Sequence, residues 1–296
     1  MRIGPAAALT VVLVVTGCAG GTGSPGQDPE TSAAHPRPEP ARDASASSGP
    51  TPSQDSLDER LRAAAWRNDL AAARRLVRRG ADVNAKDETD QSAYLIATSE
   101  GYLDLLRLTL RHGARVDDKD SWNGTGLIRA AERGHAAVVG ELLQAGIARD
   151  HVNRIGYQAV HEAVWLGEDT SAYETTLRVL AAGGVRLSDR SVQEGLTPLQ
   201  MAGQRGHERL ERVLTNVTTS DRPADPDAAL LAAAATGDAD AAAATLRAGA
   251  DLEARDAHRR TPLLLAATHD HLAVAGLLVA MGADPDPRLE TSRADG

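Results

Sequence analysis

The sequence predicts an all-α solenoid of about six to seven helix-turn-helix repeats that follows a disordered tether. Glycines recur at one spacing: Gly80, Gly113 and Gly146 are each 33 residues apart, and so are Gly249 and Gly282. Aromatic residues make up only 2% of the chain, and it contains no phenylalanine. Because large aromatic side chains usually dominate a single hydrophobic core, this composition favours stacked small repeats built from Leu, Val and Ala.

The stretch from Asp251 to Asp284 contains one complete repeat. Thr261-Pro262-Leu263 opens a first helix, and His271 begins a second helix rich in Leu and Val. Gly282 follows that helix, at a position where glycine adopts the left-handed conformation at least steric cost. This order resembles the ankyrin repeat, in which a turn and two antiparallel helices recur every 33 residues. The resemblance covers residues 57–286 and implies stacked hairpins with a concave face that holds other proteins.

The remaining repeats follow this pattern with departures, and the Thr-Pro-Leu start itself recurs only in the fifth repeat, at Thr197-Pro198-Leu199, and is missing from the sixth. Charged residues replace the Thr-Pro-Leu start in the first repeat, which we expect to be a polar cap. The fourth repeat carries a four-residue insertion between Gly167 and Thr175 and is expected to end at Gly183. Residues 215–226 contain two prolines and no Gly-Ala-Asp turn. We expect the sixth and seventh repeats to continue the stack across this irregular turn, and two short stacks joined by a hinge are the alternative.

Residues 1–18 resemble a bacterial lipoprotein signal peptide. Arg2 precedes an apolar run of signal-peptide length, which ends in Val-Thr-Gly followed by Cys18, the only cysteine. The resemblance implies acylation of Cys18, which would attach the protein to the outward-facing side of the cell membrane. An ordinary cleaved signal with an unrelated cysteine is the alternative.

Two further segments are predicted to be disordered. Residues 19–56 contain no Leu, Ile, Val, Met or aromatic residue, so this tether cannot bury enough apolar surface to offset the entropy of ordering. Residues 287–296 form a short tail without apolar periodicity. The folded domain is therefore predicted to span residues 57–286.

Composition and motifs argue against several functions. A net charge of −9 disfavours nucleic-acid binding, which needs a basic surface. A single cysteine leaves no disulfide within the chain and no cysteine-based metal site. The sequence has no serine nucleophile elbow and no phosphate loop before a helix. We therefore predict no enzymatic activity, no cofactor and no metal. The resemblance further implies that His135, His161, His207 and His271 stabilise turns by hydrogen bonding.

The resemblance also places candidate partner contacts at the turn tips and at the ends of the first helices. Trp66 and Trp165 share one first-helix position in repeats one and four, and Trp122 lies at the turn tip of repeat three. Binding energy at protein interfaces concentrates in Trp, Tyr and Arg. The predicted partner-binding residues are Trp66, Trp122, Glu132, Arg133, Arg154, Ile155, Tyr157 and Trp165. Alternatively, these rings simply cover thin, Ala-rich helices.

The predicted function is that of a membrane-anchored monomeric scaffold that binds a protein partner through the concave face of its repeats. A sensor of a small molecule, metal or cell-wall ligand, or an accessory subunit of an exported enzyme, is the alternative. A pocket near the insertion of the fourth repeat, including Tyr173, would favour that alternative. The apolar last helix is a second candidate surface, which a partner, another copy or the C-terminal tail would cover.

Overall fold

The computed structural model describes residues 53–285, which form fourteen helices and no strand. The predicted signal peptide, Cys18, most of the tether and the tail at 287–296 lie outside these residues. In chain order the helices are α1 (Gln54–Trp66), α2 (Leu70–Arg78), α3 (Ala93–Ser99), α4 (Leu103–Arg111), α5 (Gly126–Glu132), α6 (Ala136–Gln144), α7 (Ala159–Trp165), α8 (Ser171–Ala182), α9 (Pro198–Arg205), α10 (Glu208–Thr219), α11 (Pro226–Thr236), α12 (Ala239–Arg247), α13 (Pro262–Thr268) and α14 (Leu272–Ala280).

Consecutive helices pair into seven hairpins, α1 with α2 through α13 with α14, which are repeats one to seven. The all-α solenoid prediction is therefore confirmed. The first helix begins earlier than expected, because Ser53 caps α1 and its Oγ accepts the Ser56 N–H at 3.3 Å. The fourth repeat ends one residue later than expected. Gly184, with a φ of +80°, takes the left-handed position that we predicted for Gly183, whose φ is −73°.

Neighbouring repeats are joined by hydrogen bonds that recur with the repeat. Four residues after the helix-ending glycine, a polar side chain accepts a backbone N–H of the next repeat's turn. Asn84 accepts from Arg115, Asp117 from Ala148, Asp150 from Arg186 and Glu253 from Asp284. These bonds satisfy backbone donors that would otherwise be left unpaired beside a helix end.

The stack does not continue through residues 215–226 as expected. Residues 215–219 extend α10 to Thr219, so the irregular turn is confined to residues 220–225. Helix α9 packs on α7 and α10, whereas α11 packs on α12 and α13. Repeats one to five (α1–α10) therefore form a long stack, and repeats six and seven (α11–α14) form a short stack. The two stacks are packed against each other through their second helices: α12 contacts α8 and α10, and α14 contacts α6 and α8.

The first helix of the short stack makes the same side-chain hydrogen bond as the first helix of the long stack. Asp58 of α1 accepts the Asp82 N–H at 2.7 Å, and Asp227 of α11 accepts the Asp251 N–H at 2.7 Å. In repeats two, three, four and seven, a side chain of the preceding repeat accepts the equivalent N–H instead. Helices α1 and α11 have 13 and 11 residues, whereas α3, α5, α7 and α13 have 7 each. Repeat six thus has the features of a first repeat, which explains why it begins a new stack.

Close backbone contact joins the stacks where α14 crosses α6. Gly140 faces the carbonyl oxygen of Ala280, and the Gln144 side-chain amide donates to the same oxygen at 3.3 Å. Beside this contact, Arg178 of α8 pairs with Asp240 of α12 at 2.7 Å. One face of the apolar last helix is therefore covered by α6 and α8, whereas Leu272 and Val279 on its other face remain exposed. Among residues 53–285, no helix is long and apolar enough to cross a membrane.

We predict that Gly140→Ala separates the stacks and destabilises the domain. The new Cβ would lie 1.8 Å from the Ala280 carbonyl oxygen, and overpacking of this kind costs about 1–3 kcal/mol. The matched control is Gly276→Ala on α14, where no atom lies within 4 Å and the added methyl favours the helix by up to about 1 kcal/mol. Urea denaturation measures both, and equal free energies of unfolding for the two variants would contradict the packing described.

Candidate functional site

The turn tips of the repeats share one hydrogen-bonded design. In repeat three, Asp120 Oδ1 accepts the N–H groups of Trp122 and Gly124 at 2.9 and 2.8 Å. In repeat four, Asn153 Oδ1 accepts those of Ile155 and Tyr157 at 3.1 and 2.9 Å. Asp87 and Asp256 accept the equivalent N–H groups in the turns that begin repeats two and seven. The equivalent outward positions are therefore Thr89, Trp122, Ile155 and His258, and only the two central ones are apolar.

The tips of repeats three and four are also bonded to each other. The Arg154 N–H donates to the Trp122 carbonyl at 2.9 Å, and the His151 ring nitrogen Nε2 lies 2.8 Å from the Asn123 carbonyl. These contacts fix Trp122 and Ile155 on one rigid edge. Both side chains are exposed to solvent, by 56% and 37%.

A cavity of about 120 Å³ lies between these tips and the first helices α5 and α7. We call it the tip pocket. Its lining comprises Asp120, Trp122, Gly124, Ile128, Arg129, Glu132, Asn153, Ile155, Glu162 and Leu166. The exposed Trp122, Ile155 and Leu166 form its rim, and the buried Ile128 and Glu162 form its floor. No lining residue comes from the short stack, so the packing of the two stacks leaves this pocket free.

The tip pocket holds three carboxyl groups and one guanidinium. Arg129 Nη1 donates to Glu132 at 2.6 Å, and Arg129 Nε lies 3.4 Å from Asp120. Glu162 Oε1 accepts the Asn153 amide at 2.5 Å, whereas its Oε2 is buried without a hydrogen-bond partner. The pKa of Glu162 is raised to about 7, mainly by burial and also by the nearby Glu132 and Asp120 carboxylates, whereas the Asn153 hydrogen bond and Arg129 oppose this rise.

The structure brings three of the eight predicted contact residues, Trp122, Glu132 and Ile155, to the tip pocket. Arg154 is exposed beside it, and Arg133 at the end of α5 pairs with Glu100 at 2.8 Å. Trp66 ends α1 in the first repeat and does not line the pocket. Leu166 and Glu162 also line the pocket and were not among the predicted residues, and the sequence signal available for Leu166 was its place directly after Trp165.

Two of the predicted aromatic contacts have other surroundings. Tyr157 is only 3% exposed, and its hydroxyl donates to Glu194 in the turn before repeat five. Its ring therefore supports the turn and cannot offer a face to a partner, which corrects the placement of Tyr157 at the centre of the site. Trp165 is half-buried, and the Arg205 guanidinium carbon lies 5.4 Å from its ring centroid. This cation–π contact extends the exposed edge along the ends of α7 and α9.

Three of the four turn histidines behave as the resemblance implied. His135 Nε2 lies 3.1 Å from the Ser99 carbonyl, and His271 Nε2 lies 3.1 Å from the Ala235 carbonyl, each in the preceding repeat. His161 Nε2 lies 3.1 Å from the Asp189 carbonyl, which is in the turn before repeat five. Burial lowers the pKa of His135 and of His161, so both rings are neutral donors at pH 7. The His207 Nδ1 is buried without a hydrogen-bond partner.

The insertion of the fourth repeat forms no pocket with Tyr173. The Tyr173 ring packs against Gly134 and Gly167, and its hydroxyl donates to the Glu132 carbonyl at 2.8 Å. A larger cavity of about 400 Å³ lies where the stacks meet, between the ends of α10 and α12. Arg222 and Arg247 there donate to backbone carbonyls and hold the seam together. Within residues 53–285, no group of three His, Cys, Asp or Glu residues is placed to hold a metal.

Comparison with known proteins identifies the repeats. A model of three ankyrin repeats matches residues 61–153 and 94–183, and a single-repeat model matches residues 258–288. The ankyrin repeat protein YahD of Escherichia coli K12 is 31% identical over 147 residues, which are 49% of this chain and 72% of that protein. The chain belongs to the ankyrin-repeat family. Repeats of this family are typically protein–protein interaction modules, and their scaffolds are generally not enzymes.

Solved ankyrin structures match about half of the chain. An ankyrin repeat domain from Acinetobacter baumannii is 42% identical, with a TM-score of 0.50, over 52% of this chain and 79% of that domain. The ankyrin repeat protein EF0377 is 32% identical, with a TM-score of 0.52, over 56% of this chain and 85% of that protein. The family models leave residues 184–257 unmatched, and this is where the long stack ends and the short stack begins.

We predict that Glu162 makes stability fall as pH rises. The carboxyl ionises near pH 4.5 when unfolded and near pH 7 when folded, so the folded chain binds the extra proton between these values. The free energy of unfolding should therefore decrease across that window, and Glu162→Gln should remove this decrease. We expect the difference between variant and wild type to grow by about 1–3 kcal/mol from pH 5 to pH 8.

Denaturant titrations at several pH values measure this difference. The Glu141→Gln variant serves as the control for the change in net charge, because Glu141 lies on α6 outside the tip pocket and pairs with Arg107. Parallel pH profiles of Glu162→Gln and wild type would show that the carboxyl is not held as described.

Proposed function

We propose that this chain is a lipid-anchored ankyrin scaffold on the outward-facing side of a bacterial membrane, where it binds a protein partner at the tip pocket. The observation that carries the binding site is the apolar rim of Trp122, Ile155 and Leu166. Each of these side chains is more than a third exposed, and together they border a cavity in a chain with few aromatic residues. Exposed apolar clusters with polar groups beneath them mark interaction surfaces.

The surface fits a protein partner better than a small molecule. The tip pocket is smaller than the roughly 300–1,000 Å³ of ordinary ligand sites, but its rim extends along the bonded edge of two turn tips. Arg133, Arg154 and the Trp165–Arg205 contact lie around it, and Trp and Arg are the residues in which interface energy concentrates. The back of repeats three and four is covered by α14, so the partner meets the turn-tip side.

The anchoring part of the proposal rests on Cys18 and the apolar run before it. Acylation there would leave residues 19–52 as the spacer between membrane and folded repeats. Replacing Cys18 by Ser should move the protein from the membrane fraction to the soluble fraction in fractionated cells. Retention of the Cys18→Ser protein in the membrane would argue against lipid anchoring at this residue.

We predict that a Trp122→Ala/Ile155→Ala double variant loses its partner. Removing two central apolar side chains from a protein interface costs about 2 kcal/mol or more each, so crosslinked capture from membranes should fall more than tenfold. Both side chains are exposed, so the circular dichroism spectrum should stay unchanged. The matched control is Leu272→Ala/Val279→Ala, which removes two apolar side chains of α14 that are 75% and 51% exposed.

The capture compares one identified protein across wild type, control and variant. A protein captured by the wild type and the control but not by the rim variant supports the tip pocket as the interface. Equal capture by the rim variant would place the interface elsewhere on the repeats.

A further inference from the structure

One oxygen of the tip pocket has no partner. Glu162 is only 3% exposed, and its Oε2 makes no hydrogen bond. Its other oxygen is held by the Asn153 amide at 2.5 Å, which fixes the carboxyl in place on α7. A buried carboxyl with one free oxygen costs stability, because an unpaired polar group loses its hydration without compensation.

The cation already in the pocket does not pair with this oxygen. Arg129 Nη1 donates to Glu132 at 2.6 Å and its Nε lies 3.4 Å from Asp120, and no nitrogen of Arg129 is hydrogen-bonded to Glu162 Oε2. Among the residues that line the pocket, three carboxyl groups face one guanidinium. The pocket therefore has a place for one more positive charge.

The walls of the pocket define the shape of that cation. Trp122, Ile155 and Leu166 line the same cavity as Glu162 and place an indole ring and aliphatic side chains at its exposed rim. An arginine side chain presents a planar guanidinium, which stacks on indole and donates to carboxylates, on a stem of methylenes that packs on apolar walls. A cavity of about 120 Å³ is the size for the end of one side chain. No metal-binding cluster exists within the described residues.

We propose that the tip pocket receives an arginine side chain of the protein partner, with Glu162 as its carboxylate acceptor and Trp122 as its stacking face. This inference rests on the proposed function and names the chemistry that the partner must present. Entry of the guanidinium would displace the proton that Glu162 otherwise retains, so binding is coupled to ionisation of this carboxyl.

The test uses small probes and the full-length protein. We expect n-butylguanidinium to shift the Trp122 indole and the Glu162 carboxyl resonances in NMR spectra, and n-butylurea, its neutral analogue, to leave them unchanged. Because the ionised fraction of a carboxyl with a pKa near 7 rises from pH 6 to pH 8, the affinity for n-butylguanidinium should rise roughly tenfold. Equal shifts with both probes, or no shift with either, would overturn the proposal.

Variants then assign the acceptor. Glu162→Gln should abolish both the binding and its pH dependence, whereas Glu141→Gln, which removes the same charge outside the pocket, should retain both. Unchanged n-butylguanidinium binding by Glu162→Gln would overturn the assignment. If that variant fails to fold, the carboxyl titration of the wild type still decides, because n-butylguanidinium must lower the Glu162 pKa.

The arginine proposal can fail while the proposed function still holds. Partner capture that survives Glu162→Gln but not Trp122→Ala/Ile155→Ala would keep the tip pocket as the interface and reject the arginine.

Discussion

A helical hairpin cannot cover its own apolar side, and the whole arrangement of this chain depends on how that side is covered. Within the long stack each repeat covers the next, and hydrogen bonds such as Asn84 to the Arg115 N–H fix their separation. The short stack has too few repeats to bury its second helices alone. Its helices α12 and α14 solve this by packing on α8 and α6 of the long stack.

This solution determines which surface remains for binding. The back of repeats three and four is buried against the short stack, and Gly140 allows the α14 backbone to approach closely. The turn tips of the same repeats point to the free side, where Trp122 and Ile155 are exposed. Packing and function therefore use opposite sides of the same two repeats. A partner at the tip pocket would therefore bind repeats whose opposite side is packed against the short stack.

Local signals in the sequence account for most of the fold. The glycine spacing, the Thr-Pro-Leu starts and the turn histidines act within one repeat or between neighbours, so they could be read without the structure. The folding back of repeats six and seven could not be predicted in this way. It depends on contacts such as Gln144 with Ala280, which are far apart in the sequence and leave no periodic pattern. Repeat six, like repeat one, has no Thr-Pro-Leu start, and Asp227 makes there the same hydrogen bond that Asp58 makes in repeat one.

The site was only partly predictable, and the reason is burial. The outward direction of Trp122 and Ile155 follows from turn geometry, which is set locally by Asp120 and Asn153. Whether a side chain is covered depends on the next repeat. Tyr157 occupies a tip sequence but turns inward to Glu194, and Glu162 looks like an ordinary helix carboxylate until its free oxygen is found beneath the rim.

The most direct test of this account is the distance between α6 and α14 in solution. Spin labels on Ala137→Cys and Ala273→Cys, both exposed positions, can be introduced in a Cys18→Ser background and their separation measured by pulsed electron resonance. Packed helices lie about 8–10 Å apart, so we expect a label separation below about 25 Å. A regular solenoid would place α14 four repeats beyond α6 and separate the labels by about 40 Å, a result that would contradict the folding back of the short stack.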